Sequence, residues 1–341
     1  MIRTGIGLKR RAFEIKETND NRSLTLDSVT YRRIAYFDQR HSPEADTEQL
    51  GMKKQSLLFR LILFYGCRLP YHRGKGWLVE RLLHIFRIDV DEEFDLERDG
   101  LRWRLNPADF VHADIFWLGR KDYYDVYHLE NFLQPGHVFF DIGANFGYYS
   151  VVMASRLNKQ CVIHAFEPNP PTVALLRDHV AINGLQEVVH VHDVALSDHV
   201  GMAAMATKEG NSGGAHIVDS DATFTQVKLT TLDDFCDEQR ITRIDAVKID
   251  VEGFEERVLL GGQRTFRRWR PVLLMELEPA RLRGKQTTVE RVVLLLQELG
   301  YELFVSHRQT LVPLRQWPEG DDAQMNVFCL PRAASVSNGG L

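Results

Sequence analysis

Short apolar runs alternate with helical periodicity through the larger, C-terminal part of the chain. Val138-Phe-Phe leads into Asp141-Ile-Gly143-Ala-Asn-Phe-Gly147, after which Tyr148 to Leu157 reads as a helix. Cys161 to Phe166 has the length of a buried strand and ends in Glu167-Pro168; Val173, Leu176 and Val180 then share a helix face that stops at Asn183-Gly184. Val188 to His192 is a third strand ending at Asp193, Ala246 to Asp250 a fourth, and Val272 to Glu278 a fifth. Thr288 caps a helix whose Val289, Val292, Val293, Leu296 and Leu299 recur at helical spacing, and Tyr301 to Val305 and Asn326 to Leu330 supply two last strands. Such alternation predicts an α/β fold, a doubly wound and mostly parallel sheet with right-handed crossovers. The rhythm breaks at Gly201 to Thr207 and Thr225 to Thr230, paired extended runs around Gly210-Asn-Ser-Gly-Gly214, a stretch that reads as a flexible loop or a lid. A helix over Leu232 to Glu238 restores it.

Ahead of this, residues 1 to about 50 are polar and mixed in charge, as loop or loosely held structure would be. Leu57 to Tyr65 is strongly apolar but carries Arg60 and falls far short of the roughly 20 residues that span a bilayer. It reads as a buried helix of a small unit, with a basic-flanked helix on a membrane surface as the alternative. Trp77 to Phe86 shows a second helical pattern, and Asp99-Gly100 marks a hairpin between two runs of period two. Residues 1–118 are therefore expected to be an accessory region of helices and a hairpin, suited to substrate recognition or to homo-oligomer formation. Tyr123 to Phe132 forms a helix handed on by Pro135-Gly136 to the strand at Val138, so the α/β domain is expected over residues 119–335.

Composition narrows the function classes. A chain of 341 residues has room for two domains, and a formal net charge of -5 with both signs interspersed argues against a protein built to neutralise a phosphate backbone. Nucleic acid is not the expected partner. Cys67, Cys161, Cys236 and Cys329 lie far apart without Cys-x-x-Cys spacing, which suits inert thiols in a reducing compartment; with no apolar leader at Met1 to Phe13, a cytoplasmic location is expected.

The turn after the first strand carries the chemistry. A dinucleotide turn needs Gly-x-Gly-x-x-Gly for backbone to close on a pyrophosphate, whereas only Gly143 and Gly147 stand here and Asp141 ends the strand. A carboxylate on the approach repels phosphate and attracts a ligand with an ammonium and a sulfonium, as S-adenosylmethionine has. Backbone N–H groups of the turn are expected to point at that ligand. In such a sheet the C-terminal strand ends line one crevice, so Asp141, Glu167, Asp193 and Asp250 should converge. Glu167 is placed to accept ribose hydroxyls and Asp193 to lie near an adenine amino group. Ala144, Asn145, Pro168 and Ala195 complete the cofactor-binding set.

The ordered set Val138-x-x-Asp-x-Gly-Ala-Asn-x-Gly147, Phe166-Glu-Pro168, Asp193-Val-Ala-Leu-Ser197, Thr231-Leu-Asp233 and Lys248-Ile-Asp-Val-Glu-Gly-Phe-Glu255 resembles the FkbM-type S-adenosylmethionine-dependent methyltransferases. The likeness covers roughly Tyr123 to Leu282. It implies a seven-stranded, Rossmann-like sheet with the last strand antiparallel, S-adenosylmethionine as cofactor, and methylation of a hydroxyl on a sugar, glycan or other natural product. Methyl transfer from a sulfonium is an in-line displacement, for which positioning supplies much of the acceleration. A base assists a hydroxyl nucleophile by about 10²- to 10⁴-fold. Asp250 is the first candidate base and Glu252 the second, with Lys248 placed to hold Asp250 ionised. Glu276 and Glu278 could join Asp250 around magnesium, but no metal-site spacing is present and no metal is expected. His164, His190 and His192 read as packing residues and His307 as an outsider. Two other readings stay open: a nicotinamide-dependent oxidoreductase on a similar sheet, and a non-catalytic partner protein that kept the fold.

Overall fold

The computed structural model describes residues 57–69, 74–86, 88, 91–208, 211–218, 225–318 and 324–332. The reading of residues 1 to about 50 lies outside them. Helices α1 (Leu57–Arg68) and α2 (Lys75–Ile85) precede a hairpin of β1 (Phe94–Arg98) and β2 (Leu101–Leu105), whose turn is Asp99-Gly100, both at positive φ. Next come α3 (Phe110–Leu118), capped by the Asp109 carboxylate on the Val111 N–H, and α4 (Tyr123–Phe132). The alternating core runs β3 (His137–Ile142), α5 (Tyr148–Arg156), β4 (Cys161–Phe166), α6 (Pro170–Ile182) and β5 (Val189–His192). Four short strands follow, β6 (Ala195–Leu196), β7 (Gly201–Lys208), β8 (Asn211–Val218) and β9 (Thr225–Thr230). The chain closes with α7 (Leu232–Glu238), β10 (Ala246–Ile249), α8 (Glu255–Gly261), α9 (Gln263–Trp269), β11 (Val272–Leu277), α10 (Pro279–Gly284), α11 (Val289–Glu298), β12 (Tyr301–His307), β13 (Thr310–Pro313) and β14 (Met325–Pro331).

The main sheet has the order β13-β12-β14-β11-β10-β3-β4-β5. Strands β11, β10, β3, β4 and β5 pair in parallel, and β14 inserts antiparallel between β11 and β12. This is the expected α/β sheet with one strand more than the seven predicted, because β13 folds back on the edge of β12. Successive residues of a strand face opposite sides, so Phe139, Ala246 and Leu274 enter one core with α4, α5 and α6, and Phe140, Val247 and Leu273 enter a second with α7, α8, α9 and α11. That double coverage is why the central strands read as mostly apolar runs without strict alternation.

The elements before β3 pack into the first of these cores. Phe59, Ile62, Trp103, Leu105 and Phe116 join Phe139, Phe146 and Leu176 in one buried cluster. Helix α1 buries only one side: Phe59 and Ile62 are inside while Leu57, Leu61 and Phe64 are exposed. Strand β2 would leave an open edge, a liability that α6 removes with side chains. Asn183 accepts the Arg102 N–H and donates to its carbonyl, each at 2.8 Å, and His179 Nε2 accepts the Arg104 N–H at 3.0 Å.

A second sheet, β6-β9-β7-β8, branches off after β5. Here the expected glycine-rich loop is a strand: residues 211–218 are β8, antiparallel to β7. Four of the first residues of β8 are Asn, Ser, Gly and Gly, poor strand formers, so its extended shape comes from the ladder that β7 offers. No helix among the described residues is long and apolar enough to cross a membrane. No disulfide links the cysteines; Cys161, Cys236 and Cys329 are buried and Cys67 partly so.

Candidate functional site

Strand order reverses between β3 and β10, and at such a switch point the loops after two neighbouring strands part and leave a crevice at their C-terminal ends. The cleft lies there, lined by Ile142, Gly143 and Asn145 at and after the end of β3, Phe166, Glu167 and Pro168 at and after the end of β4, and Asp250, Val251 and Glu252 after β10.

The turn of residues 143–147 is closed on itself. Gly143 and Ala144 both donate to the Phe166 carbonyl, at 3.0 and 2.9 Å, and Asn145 donates to Glu167 Oε2 at 2.9 Å. Phe146 donates to Asn145 Oδ1 at 2.7 Å and Gly147 to the Ala144 carbonyl at 2.9 Å. The expectation that these N–H groups aim at a ligand is therefore corrected: each already has a partner within the fold. Gly143 sits at φ +75°, and a Cβ there would stand 1.8 Å from the Asp250 carbonyl oxygen, so only glycine lets the β3 and β10 ends meet. Gly147 sits at φ +93°, where a side chain is strained, and a Cβ there would press on the tip of Leu176.

Glu167 anchors one half of the cleft. Its Oε2 takes the Asn145 N–H and its Oε1 the Asn169 N–H, both at 2.9 Å, which fixes the carboxyl on the β4 end beside Pro168. Burial pushes it up to about 7 despite those two donors. Phe166, Pro168, Val194, Ala195 and Leu196 form apolar walls around it.

The other half is ionic. Lys248 Nζ lies 3.0 Å from Asp250 Oδ2, 3.9 Å from Asp141 Oδ1, and 5.0 Å over the Tyr149 ring. Burial acts to lower the Lys248 ammonium, but Asp250 and Asp141 outweigh it and leave it up at about 12. Against burial, which raises a carboxyl, Lys248 and a hydrogen bond with Glu276 hold Asp250 below the ordinary carboxylate range. Glu276 is held well above that range, first by burial and then by the Asp250 charge beside it. Gln324 donates to Glu276 Oε1 from the approach to β14.

Of the sequence-predicted residues, Gly143, Asn145, Glu167, Pro168, Ala195, Asp250 and Glu252 line the cleft. Asp141 does not. It is fully buried, its Oδ2 accepts from Ser150 Oγ at 2.6 Å, and it acts beneath the turn as a partner of Lys248. Ala144, Gly147 and Lys248 are likewise buried supports rather than walls. Asp193 also departs from expectation: its side chain is 71% exposed and its ion partner is Arg177 at 3.9 Å, because Val194 and Ala195, not Asp193, turn into the cleft. The four strand-end carboxylates thus converge only in part, through Glu167 and Asp250. Glu252, in the left-handed region at φ +58°, is ion-paired with Arg281. Glu278 also pairs with Arg281 instead of gathering with Glu276 and Asp250, and among the described residues no cluster of three metal-ligating side chains is found. His164 and His192 pack with Phe140, Phe166 and Phe235, and His307 is exposed at the end of β12.

Several lining residues escaped sequence reasoning. Phe110 and Val111 come from α3, Lys121 from the α3–α4 connection, Met205 from β7, Phe254 from the α8 start and Gln324 from before β14. Glu276 was noticed only as a metal ligand, although its place at the end of β11, beside the end of β10, was the available signal.

Residues 141–303 match the family model of the methyltransferase FkbM domain. Among curated proteins, the chain is 32% identical over 158 residues to the 31-O-demethyl-FK506 methyltransferase FkbM of Streptomyces tacrolimicus, covering 38% of this chain and 60% of that one. It is 27% identical over 155 residues to the 2-O-methyltransferase NoeI of Sinorhizobium fredii, covering 40% and 62%. The chain thus spans about three fifths of the length of these two relatives. A crystal structure of a methyltransferase FkbM from Methylobacillus flagellatus aligns with 63% of this chain and 52% of its own, at 13% identity and a TM-score of 0.41. With its strand-ordered motifs on one crevice and the family match running from β3 into β12, residues 141–303 of the chain are similar to the methyltransferase FkbM domain.

Proposed function

We propose that the protein is an S-adenosylmethionine-dependent methyltransferase that methylates a hydroxyl of a sugar, glycan or other natural product. The observation that carries this reading is the self-satisfied turn of residues 143–147 set between carboxylates. A turn without spare N–H groups offers no cradle for a pyrophosphate, which weighs against the nicotinamide alternative. A cleft whose ends are Glu167 and the Asp250–Glu276 pair suits a cationic ligand with a hydroxylated middle. Apolar walls from Phe166, Pro168 and Leu196 suit a flat base next to the ribose that Glu167 would hold. Once bound, S-adenosylmethionine supplies an electrophilic methyl group on a positively charged sulfur. The names of the two relatives, which specify O-methylation or methylation at a 31-O position, support the choice of a hydroxyl acceptor.

In this reading Glu167 accepts ribose hydroxyls, Asp250 faces the cationic end, and Lys248 keeps Asp250 ionised and in place. Asp250, held below the usual range, is a weak proton acceptor, which argues for an orienting part over its role as the base. Titration calorimetry of the full chain with S-adenosylmethionine tests the assignment. Saturable binding is expected, weakened about 10- to 100-fold in Glu167→Ala, as loss of a charged hydrogen-bond acceptor predicts. Binding of NADH in place of S-adenosylmethionine would overturn it.

A further inference from the structure

Two carboxyl groups meet at the floor of the cleft. Glu276 is the penultimate residue of β11 and Asp250 follows β10; the strands are neighbours in register, Ile249 opposite Met275, and the two side chains share a hydrogen bond. Two half-buried carboxyls in contact repel each other when both are ionised, so at neutral pH the pair holds one proton. The surroundings decide which group carries it. Lys248 Nζ sits 3.0 Å from Asp250 Oδ2 and Lys121 adds its charge on the same side, whereas Glu276 is met by the neutral Gln324 amide. Asp141 adds negative charge behind Lys248, and Glu167, pushed up to about 7 by burial, is only partly ionised. Arg281 also lines the cleft, but Glu252 and Glu278 occupy its guanidinium. The proton therefore rests on Glu276, where burial and the Asp250 charge favour the neutral acid.

Resting on the methyltransferase reading, we propose that Glu276 is the general base of this enzyme, armed when a sulfonium enters the cleft and discharged when that charge disappears. A positive charge beside the carboxyl pair compensates the second negative charge, so Glu276 releases its proton on cofactor binding. Glu276 then takes the proton that the acceptor hydroxyl sheds as its oxygen bonds the methyl carbon and the carbon–sulfur electron pair stays on sulfur. Because the sulfur becomes neutral in the same step, the Asp250–Glu276 pair regains its preference for holding one proton as the transfer proceeds. Acceptor strength thus rises along the reaction, which a permanently ionised Asp250 could not offer.

The test needs no acceptor. Binding of S-adenosylmethionine and of its neutral-sulfur product, S-adenosylhomocysteine, is measured by calorimetry at pH 7 in two buffers of different ionisation enthalpy, for the wild type and for Glu276→Gln. Proton release should exceed that of the variant by about one per S-adenosylmethionine bound, the charge compensation argued above, and the excess should vanish with S-adenosylhomocysteine. The Gln variant, isosteric with the neutral acid, should bind S-adenosylhomocysteine as the wild type does and S-adenosylmethionine more weakly, having lost the charge that faces the sulfonium. Equal proton counts in wild type and variant, or an equal excess with both ligands, overturns the base while leaving the cofactor reading intact. Binding of neither compound by the wild type overturns the cofactor reading and the base with it.

Discussion

Gly143 and Lys248 show how narrowly the cleft is built at single positions. Alanine at 143 would combine a positive φ, costing about 1–2 kcal/mol for a residue with a Cβ, with a collision against the Asp250 backbone. Gly143→Ala should therefore unfold at markedly lower urea and lose S-adenosylmethionine binding in calorimetry, whereas Gly136→Ala, with open space around it, should pay only the φ penalty. Lys248→Met leaves Asp141 buried and Asp250 without its cation. Removing one member of a buried ion cluster typically costs about 3–5 kcal/mol, so a loss of that size is expected in urea denaturation, with Asp141→Asn in the same chain restoring part of it. Some of this was legible in the residues. Glu167 and Asp250 line the cleft, because they directly follow apolar runs that end at the crevice. Asp193 follows such a run too, yet projects outward, since side-chain direction alternates along extended backbone and a one-residue offset decides which side it takes.

Among the elements, those covered on both faces were readable from the chain; of those on edges, β5 and the β1–β2 hairpin were readable and β8 and β13 were not. Strands β3, β4, β10 and β11 are mostly apolar runs, each broken by one or two polar residues, whereas β8 and β13 owe their pairing to a neighbour and carry no pattern of their own. The docking of β2 on α6 was equally hidden, because it uses two polar side chains, His179 and Asn183, in place of a strand. His179 is fully buried, accepts at Nε2 from Arg104 and donates from Nδ1 to the Phe146 carbonyl at 2.8 Å, so it joins the hairpin to the glycine turn. His179→Ala leaves both backbone groups without that partner, at a cost of about 1–3 kcal/mol. Amide hydrogen exchange should report faster exchange at Arg104, ahead of any change at the centre of β3.

The whole molecule couples the cleft to segments outside residues 141–303. Phe110, Val111 and Lys121 reach it from before the matched region and Gln324 from after it, and the elements of residues 57–118 share a core with β3 and α5. A chain shortened to begin at residue 119 would strip the cover from Phe139, Phe146 and Leu176; loss of a single cooperative transition in thermal unfolding is the expected result. Acid should act on the same scale. Burial lowers His112 and His192 to about 4 and His164 to about 3, below the ordinary 6.5. Unfolding lets these rings take up protons that the fold refuses, so stability present above pH 6.5 falls as pH drops toward 4, by up to about 1.4 kcal/mol per group for each pH unit. Urea midpoints between pH 7 and pH 4.5 should trace this decline, less steeply in His164→Leu.

Because the loop after β3 has settled its own polar needs, it is a finished mould before anything arrives. Such a mould grips a visitor by outline alone and is blind to whether the visitor bears a charge. On the methyltransferase reading, telling a fresh methyl donor from its used-up remnant would then fall to the carboxyls lining the cleft, and turnover would be governed by how readily they let the remnant go.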